Sequence, residues 1–352
     1  MLALAGRRWR AWGTVVHRKM PNCRPFLDLD RAGTARIWKV RMLMTEISNN
    51  IRAAAQQAGI PAAGPGLMLL LDLDGTVLPD DGVIRQRVRE AVHAHVDAGT
   101  HVVIATGRGR MSAHPVAEML GLDSAVMICS NGNETVLTGD ATINGVEGKA
   151  YEAITDGGQK VSMRLANITT IEPAALENAL HQMHKAFPDA YFAVEPAFGE
   201  RMLADGFPFT LLHPQRGVHV PYEELFIDDC IRMFMVAPGL RPQELQDRVD
   251  RLNLYGLEVI ASSSWDSGWV DAGRAGVTKA TAGEVVREEY GLPPHATVAV
   301  GDGGNDVDML RWAGLGVAMG QAADFVQEAA DVSTGTIWED GLAIALETLL
   351  EN

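Results

Sequence analysis

Asp72 and Asp74 stand two residues apart at the end of the apolar run Leu67-Met-Leu-Leu-Leu71, and Gly75-Thr76 follow them. Five consecutive apolar residues bounded by turn formers predict a strand buried on both faces of a sheet. Open α/β sheets keep their ligand crevice at the C-terminal ends of the strands, so this strand delivers two carboxylates to that crevice. Buried carboxylates are costly unless paired or metal-bound. An Asp-Gly turn after a strand is also common, and the motif alone does not decide. Three further groups fall at equivalent places. His101-Val-Val-Ile-Ala105 predicts a second buried strand ending in Thr106, Gly107 and Arg108; Lys279 lies at the start of a helix predicted over 278–289; and the strand predicted at 296–300 ends in Gly301-Asp302-Gly-Gly-Asn305-Asp306. Strand C-termini of a parallel sheet share one edge, which brings these residues together. Four carboxylates at one point repel each other; a hard divalent cation with oxygen ligands stabilises them, and Mg²⁺ is the usual one. Lys279 and Thr106 then serve an anionic ligand. The combination suits phosphoryl transfer, where positioning and charge neutralisation dominate.

The elements that hold these residues follow one rhythm. An amphipathic helix at 84–97 joins the first two strands, with Val88, Ala91, Val92 and Val96 at helical spacing, and a helix at 112–120 joins the second strand to a third at 125–129. Strand, helix, strand, helix, strand predicts an α/β fold with a doubly wound parallel sheet. From 134 to 264 the rhythm changes to short strands (135–137, 160–165, 191–195, 231–236, 258–262) and two helices (173–186, 242–252), with frequent Pro and Gly. That order predicts an inserted α+β cap, leaving 45–133 and 265–352 as the core. The parallel pattern resumes with strands at 296–300 and 315–319 and a last helix at 341–351.

Of the chain's 30 basic and 45 acidic residues, ten basic and only two acidic fall within residues 1–41. The body is therefore acidic and shows no basic patch for nucleic acid. Residues 1–44 read as a basic extension outside the fold. An upstream lengthening of the reading frame ahead of Met42 or Met44, a disordered tail and a targeting segment are the three readings, although the segment is not Ser-rich and lacks the apolar core of a secretory signal. Cys23, Cys129 and Cys230 are scattered and odd in number, which predicts a reducing, cytoplasmic setting without a disulfide framework. No apolar run reaches the length of a membrane span.

With these motifs in hand, the chain resembles the haloacid dehalogenase (HAD) superfamily of phosphohydrolases over residues 67–345. Asp72-Leu-Asp74-Gly-Thr76 resembles the first motif, Ala105-Thr106-Gly107-Arg108 the second, Lys279 the third and Gly301-Asp302-Gly-Gly-Asn305-Asp306 the fourth. Ser130-Asn131-Gly132 before a long insert, with Val317-Ala-Met-Gly320 and Asp340-Gly341 near the end, resembles the Cof-type (IIB) subgroup with a large α/β cap. Gln321 departs from the subgroup, which usually has Asn there. The resemblance implies a Rossmann-like HAD core. It implies Asp72 as a nucleophile that forms an aspartyl-phosphate, and Asp74 as general acid and then base. It implies a Mg²⁺ site of Asp72, the Asp74 carbonyl, Asp302 and Asp306, with Asp306 as ligand or anchor. Thr106, Gly107, Lys279 and Asn305 are implied to hold the phosphoryl group.

The expected activity is hydrolysis of a small phosphorylated metabolite, such as a sugar phosphate, nucleotide or cofactor precursor. Two alternatives stay open: a phosphotransferase or mutase using the same intermediate, and a catalytically idle binding protein. In the insert, Arg201, His213, Arg216 and His219 are candidates to contact a substrate, and His181 with His184 lie one helical turn apart without a third metal ligand in view. Neither nucleic acid nor membrane is expected as a partner, and oligomeric state, a homodimer included, is open.

Overall fold

A computed structural model describes residues 33–154, 160–212, 217–264 and 267–351. Helix α1 (Gly33–Ala58) begins well before the expected Thr45. No Pro or Gly between 34 and 44 interrupts it. The chain then alternates β1 (Met68–Leu71), α2 (Gln86–Asp97), β2 (His101–Ala105), α3 (Arg110–Leu120) and β3 (Val126–Cys129). Three antiparallel strands follow: β4 (Glu134–Thr138), β5 (Lys149–Ile154) and β6 (Lys160–Ile168). Next come α4 (Pro173–Ala186), β7 (Tyr191–Pro196), β8 (Met202–Ala204), β9 (Val218–Val220), β10 (Cys230–Pro238), α5 (Pro242–Val249), β11 (Leu257–Ser264) and β12 (Ser267–Arg274). Alternation resumes with α6 (Lys279–Glu289), β13 (Thr297–Gly301), α7 (Val307–Trp312), β14 (Leu315–Ala318), α8 (Asp324–Gln327), β15 (Val332–Ser333) and α9 (Gly341–Leu350).

These strands build two sheets. The larger has the order β15-β14-β13-β1-β2-β3-β4-β6-β5. It is parallel from β15 to β3 and antiparallel beyond. β1 lies at its centre, with Met68 opposite both Thr297 of β13 and His101 of β2. The apolar run there is explained by burial on both faces. Leu69 and Leu71 join Val88 and Val92 of α2, Leu346 of α9 and Ile51 of α1, while Met68 and Leu70 join Val286 of α6 and Leu310 of α7. Each of these four strand side chains is fully buried, a gain of about 1.5–3 kcal/mol apiece.

The smaller sheet has the order β11-β12-β10-β7-β8-β9. It is antiparallel except between β8 and β9. One face carries Met233 and Met235 against Leu176 and Leu180 of α4 and Leu245 of α5. The opposite face bears Ala193, Phe234 and Val236. Segment 134–264 is thus divided between the sheets. β4 to β6 continue the large one, because β4 turns back from β3 through a tight 3₁₀ turn at Ser130–Gly132 and pairs with it. At the other end β12, beyond 264, is the hairpin partner of β11 in unbroken register from Leu257↔Arg274 to Ser264↔Ser267.

Candidate active site

β1 passes from strand to loop at Asp72, whose N–H still donates to the Val300 carbonyl of β13 at 3.0 Å. That last rung fixes the carboxylate at the sheet edge, 4% exposed. β13 ends beside it and supplies Asp302. Gly75 (φ 85°) allows the two loops to meet, since a Cβ at that position would run into the Asp302 carboxylate. Lys279 enters from the first turn of α6. Thr278 caps that helix, its side chain accepting the Thr281 N–H while the Thr281 hydroxyl accepts the Thr278 N–H.

The Lys279 ammonium is fully buried and donates to Asp72 Oδ1 and to Asp306 Oδ1, both at 2.6 Å. Asp306 Oδ2 accepts the N–H groups of Asp302 and Gly303 at 2.9 and 2.8 Å. Both Asp306 oxygens are therefore engaged by donors that shape the loop and hold the lysine. Asp302 accepts from the Thr76 hydroxyl at 3.2 Å and from Gln321 Nε2 at 3.3 Å. Gln321 also donates to the Gly75 carbonyl at 2.7 Å and accepts the Ile337 N–H at 2.9 Å. The residue that departs from the subgroup pattern thus ties both acidic loops together.

Burial, and next the Asp306 charge, pushes the Asp72 carboxyl well up, while Lys279 pulls it down. The same two causes raise Asp302 to about 6. Burial alone lowers the Lys279 ammonium, but Asp306 and Asp72 outweigh it and raise it. Carboxylate oxygens of Asp72, Asp302 and Asp306 all lie within 4.8 Å of one another. Lys279 neutralises one of these three charges and leaves two, the charge of one divalent cation. An all-oxygen donor set of this kind fits Mg²⁺, a hard cation.

Asp74 is placed differently. Its carboxylate is turned from the acidic cluster and clasped by Arg108, Nε to Oδ2 at 2.8 Å and Nη2 to Oδ1 at 2.5 Å. It is 57% exposed at the side chain and borders the same cavity as Asp72. Burial lowers the Arg108 guanidinium, but Asp74 outweighs it and the net shift is upward. The Thr106 hydroxyl is buried and accepts the Arg108 N–H at 3.1 Å, which leaves its own hydrogen to donate. Asn305 donates to Asn131 Oδ1 at 2.9 Å, and both asparagines and Gly107 border the cavity. Arg108, Asn131 and Thr76 stand in the motifs without a role assigned from sequence, and each contacts a predicted site residue.

The smaller sheet closes the cavity, of about 390 Å³, from the other side with Arg201, Arg232, Phe234, Trp269 and Asp271. Arg201 was a sequence candidate. His219 instead pairs with the Phe207 carbonyl at 2.8 Å and packs edge-on to Phe209. His213 and Arg216 lie outside the described residues. His184 packs on Phe192 and Tyr222 and His181 on Phe226, both histidines on the exposed side of α4. Arg232 was missed although it is a charged residue inside the otherwise apolar β10, a local signal that could have found it; Asp271 lies in β12, whose Ser, Gly and Arg give no such contrast. Among the described residues no helix is long and apolar enough to cross a membrane.

The family of haloacid dehalogenase-like hydrolases matches residues 69–184 and 220–346. The 5-amino-6-(5-phospho-D-ribitylamino)uracil phosphatase YcsE of Bacillus subtilis is 31% identical over 280 residues, which are 79% of this chain and 94% of that protein. The pyridoxal phosphate phosphatase YbhA of Escherichia coli is 26% identical over 284 residues, 78% and 96% of the two chains. Among solved structures, the phosphatase BT1666 of Bacteroides thetaiotaomicron has a TM-score of 0.60 at 26% identity, over 82% of this chain and 97% of its own. The HAD subclass IIB sugar phosphatase BT4131 shares the fold, with a TM-score of 0.61 at 22% identity over 80% and 98%.

Proposed function

The chain belongs to the haloacid dehalogenase-like hydrolases and is a phosphatase of that family, and we propose that it hydrolyses a small phosphorylated metabolite through an aspartyl-phosphate on Asp72, with Mg²⁺ as cofactor. The observation that carries this reading is the buried Asp72 carboxylate, held at 2.6 Å by Lys279 beside the oxygens of Asp302. Asp72 and Asp302 would hold the cation, with the Asp74 carbonyl, while Asp306 anchors the lysine and the loop. The bound cation supplies Lewis-acid neutralisation of phosphoryl charge. An Asp72 oxygen attacks phosphorus as the ester bond breaks. The protonated Asp74 gives its proton to the leaving alkoxide, and its carboxylate then takes one from the water that cleaves the aspartyl-phosphate. Arg108 orients Asp74 for both transfers. The Thr106 hydroxyl and Lys279 face the phosphoryl oxygens, and the smaller sheet acts as the cap that limits water.

Phosphate release from an aryl phosphate tests the scheme, with and without Mg²⁺, in the wild type and Asp72→Asn. Release should need Mg²⁺ and fall by at least about a thousandfold in the variant. Equal release by both proteins overturns the mechanism. The relatives named act on a ribitylaminouracil phosphate and on pyridoxal phosphate, which supports a small metabolite ester as substrate class.

A further inference from the structure

The cap face opposite Asp72 has a composition of its own. Phe234 of β10 and Trp269 of β12 stack at 5.4 Å between ring centroids with planes 8° apart. Phe234 is buried among Ala193, Leu203 and Val236, whereas Trp269 is only partly buried. Both border the cavity that Asp72 borders on the core side. A flat, preoriented aromatic surface thus stands across the cavity from the reacting carboxylate.

The charges around it are matched. Arg232 grips Asp271 with Nε and Nη2, at 2.6 and 2.5 Å, and reaches Glu195 at 3.6 Å. Arg201 donates Nε to Glu195 at 2.5 Å. Two guanidiniums and two carboxylates form one chain of ion pairs, and both guanidinium carbons also lie 5.3–5.4 Å from the Phe234 ring. Arg108 is in turn committed to Asp74. Among the described residues of the cavity, every arginine is therefore answered by a carboxylate. A second anionic group on the substrate would have to break a buried pair and leave a carboxylate uncompensated, which is strongly unfavourable.

Resting on the reading of Asp72 given above, we infer that the leaving group this site selects is an uncharged alcohol bearing a flat, conjugated ring, which stacks against Trp269 while its phosphate lies at Asp72. The ring adds to the Phe234–Trp269 stack, and the matched charges exclude leaving groups that carry a carboxylate or a second phosphate. Trp269 is a specificity-determining residue in this assignment, and Phe234 positions it.

The test uses primary alkyl esters of closely similar leaving-group acidity with Mg²⁺ present: 2-naphthylmethyl phosphate, its fully saturated decahydronaphthyl counterpart, and 6-carboxy-2-naphthylmethyl phosphate. The wild type should prefer the flat over the puckered ester by about tenfold in kcat/KM, the order that an aromatic pair contributes. It should disfavour the carboxylated ester by a similar factor. Trp269→Leu should bring the flat-to-puckered ratio near one, and Trp269→Phe, which keeps a ring, should restore most of it. A wild-type ratio near one, or a ratio that survives Trp269→Leu, overturns the inference, as does equal turnover of the carboxylated ester. Asp72→Asn separates the two readings: release of naphthylmethyl phosphate that persists in that variant overturns the mechanism itself, whereas its loss together with a flat ratio overturns the selectivity alone.

Discussion

Lys279 is the residue whose removal should cost most, because it stands between two buried carboxylates. Asp306 is fully buried and Asp72 nearly so. Lys279→Met leaves both facing each other, and breaking one partner out of a buried ion pair typically costs about 3–5 kcal/mol. Urea unfolding should show a loss of that size, and the double variant Lys279→Met/Asp306→Asn should lose less than the two single changes added, since the residues are in direct contact. Asp302 allows a second measurement that does not depend on turnover. Mg²⁺ bound to the folded state alone should stabilise by about 2.7 kcal/mol at a hundred times its dissociation constant. Thermal midpoints should rise with Mg²⁺ over EDTA in the wild type and stay level in Asp302→Asn. At this scale Asp72, Thr106 and Asp302 were legible because polar types are unusual where they stand, after apolar runs, whereas Lys279, at a helix start, was legible only in company with them. The bidentate pair of Arg108 with Asp74 was not legible, because spacing says which residues share an edge and nothing of which way a side chain turns on it.

The elements explain which other residues escaped notice. β1, β2 and β13 read clearly because burial on both faces gives an unbroken apolar run. β10 reads as Ile-Arg-Met-Phe-Met-Val, apolar on both faces, so the alternation that sends Arg232 and Phe234 to the cavity and Met233 and Met235 to the helices is masked. β5 is an exposed edge strand, β8 and β9 have three residues each, and β12 contains two Gly and an Asp, types depleted in strands. Helices posed less difficulty, and the join between two of them carries a pH dependence. His95 of α2 is buried, with Nε2 donating to the Leu346 carbonyl of α9 at 3.0 Å and Nδ1 accepting from Thr100 Oγ1 at 3.3 Å. Burial lowers its pKa, against the weaker opposing effect of the Leu346 carbonyl. Above about pH 6.5, the ordinary histidine value, the ring is neutral in both folded and unfolded chains and contributes no slope. As pH falls below that value the unfolded chain takes up a proton that the folded chain resists, so stability is lost by up to about 1.4 kcal/mol per pH unit. Urea midpoints of the wild type between pH 7 and 5 should fall more steeply than those of His95→Gln, and His101, lowered by burial as well, should leave a residual slope in the variant.

At the scale of the whole molecule, the site is complete only where the two sheets face each other, and the chain crosses between them twice. It leaves the large sheet after β6 at Thr169 and returns from β12 at Arg274 to begin α6. Asn133, buried between β3 and β4, holds both crossings. Its carbonyl accepts the Thr169 N–H at 2.8 Å, its Oδ1 accepts the Arg274 N–H at 3.0 Å, and its Nδ2 donates to the Ser130 carbonyl at 2.8 Å. The adjoining Gly132, at φ 107°, lets the same turn press against the Thr278 carbonyl at the start of α6, where a Cβ would collide. One short turn therefore sets where the smaller sheet is attached and where Lys279 enters. Sequence reading marked Ser130-Asn131-Gly132 as the last feature before an insert, and placed the return near 264; it could not show that a single side chain serves both ends, because the return strand is 141 residues away in the chain. Asn133→Ala removes the two side-chain bonds and leaves the Arg274 N–H without its partner, a loss of about 1–3 kcal/mol, while the Ser130 carbonyl keeps the backbone N–H of residue 133 at 3.2 Å. The effect should be local as well as global. Hydrogen exchange at the Arg274 amide should quicken well beyond the change at Val298 and Val300 in β13, whose ladder the substitution leaves intact. Uniform acceleration across both sites would mean that Asn133 supports the fold as a whole and has no special hold on the returning crossing.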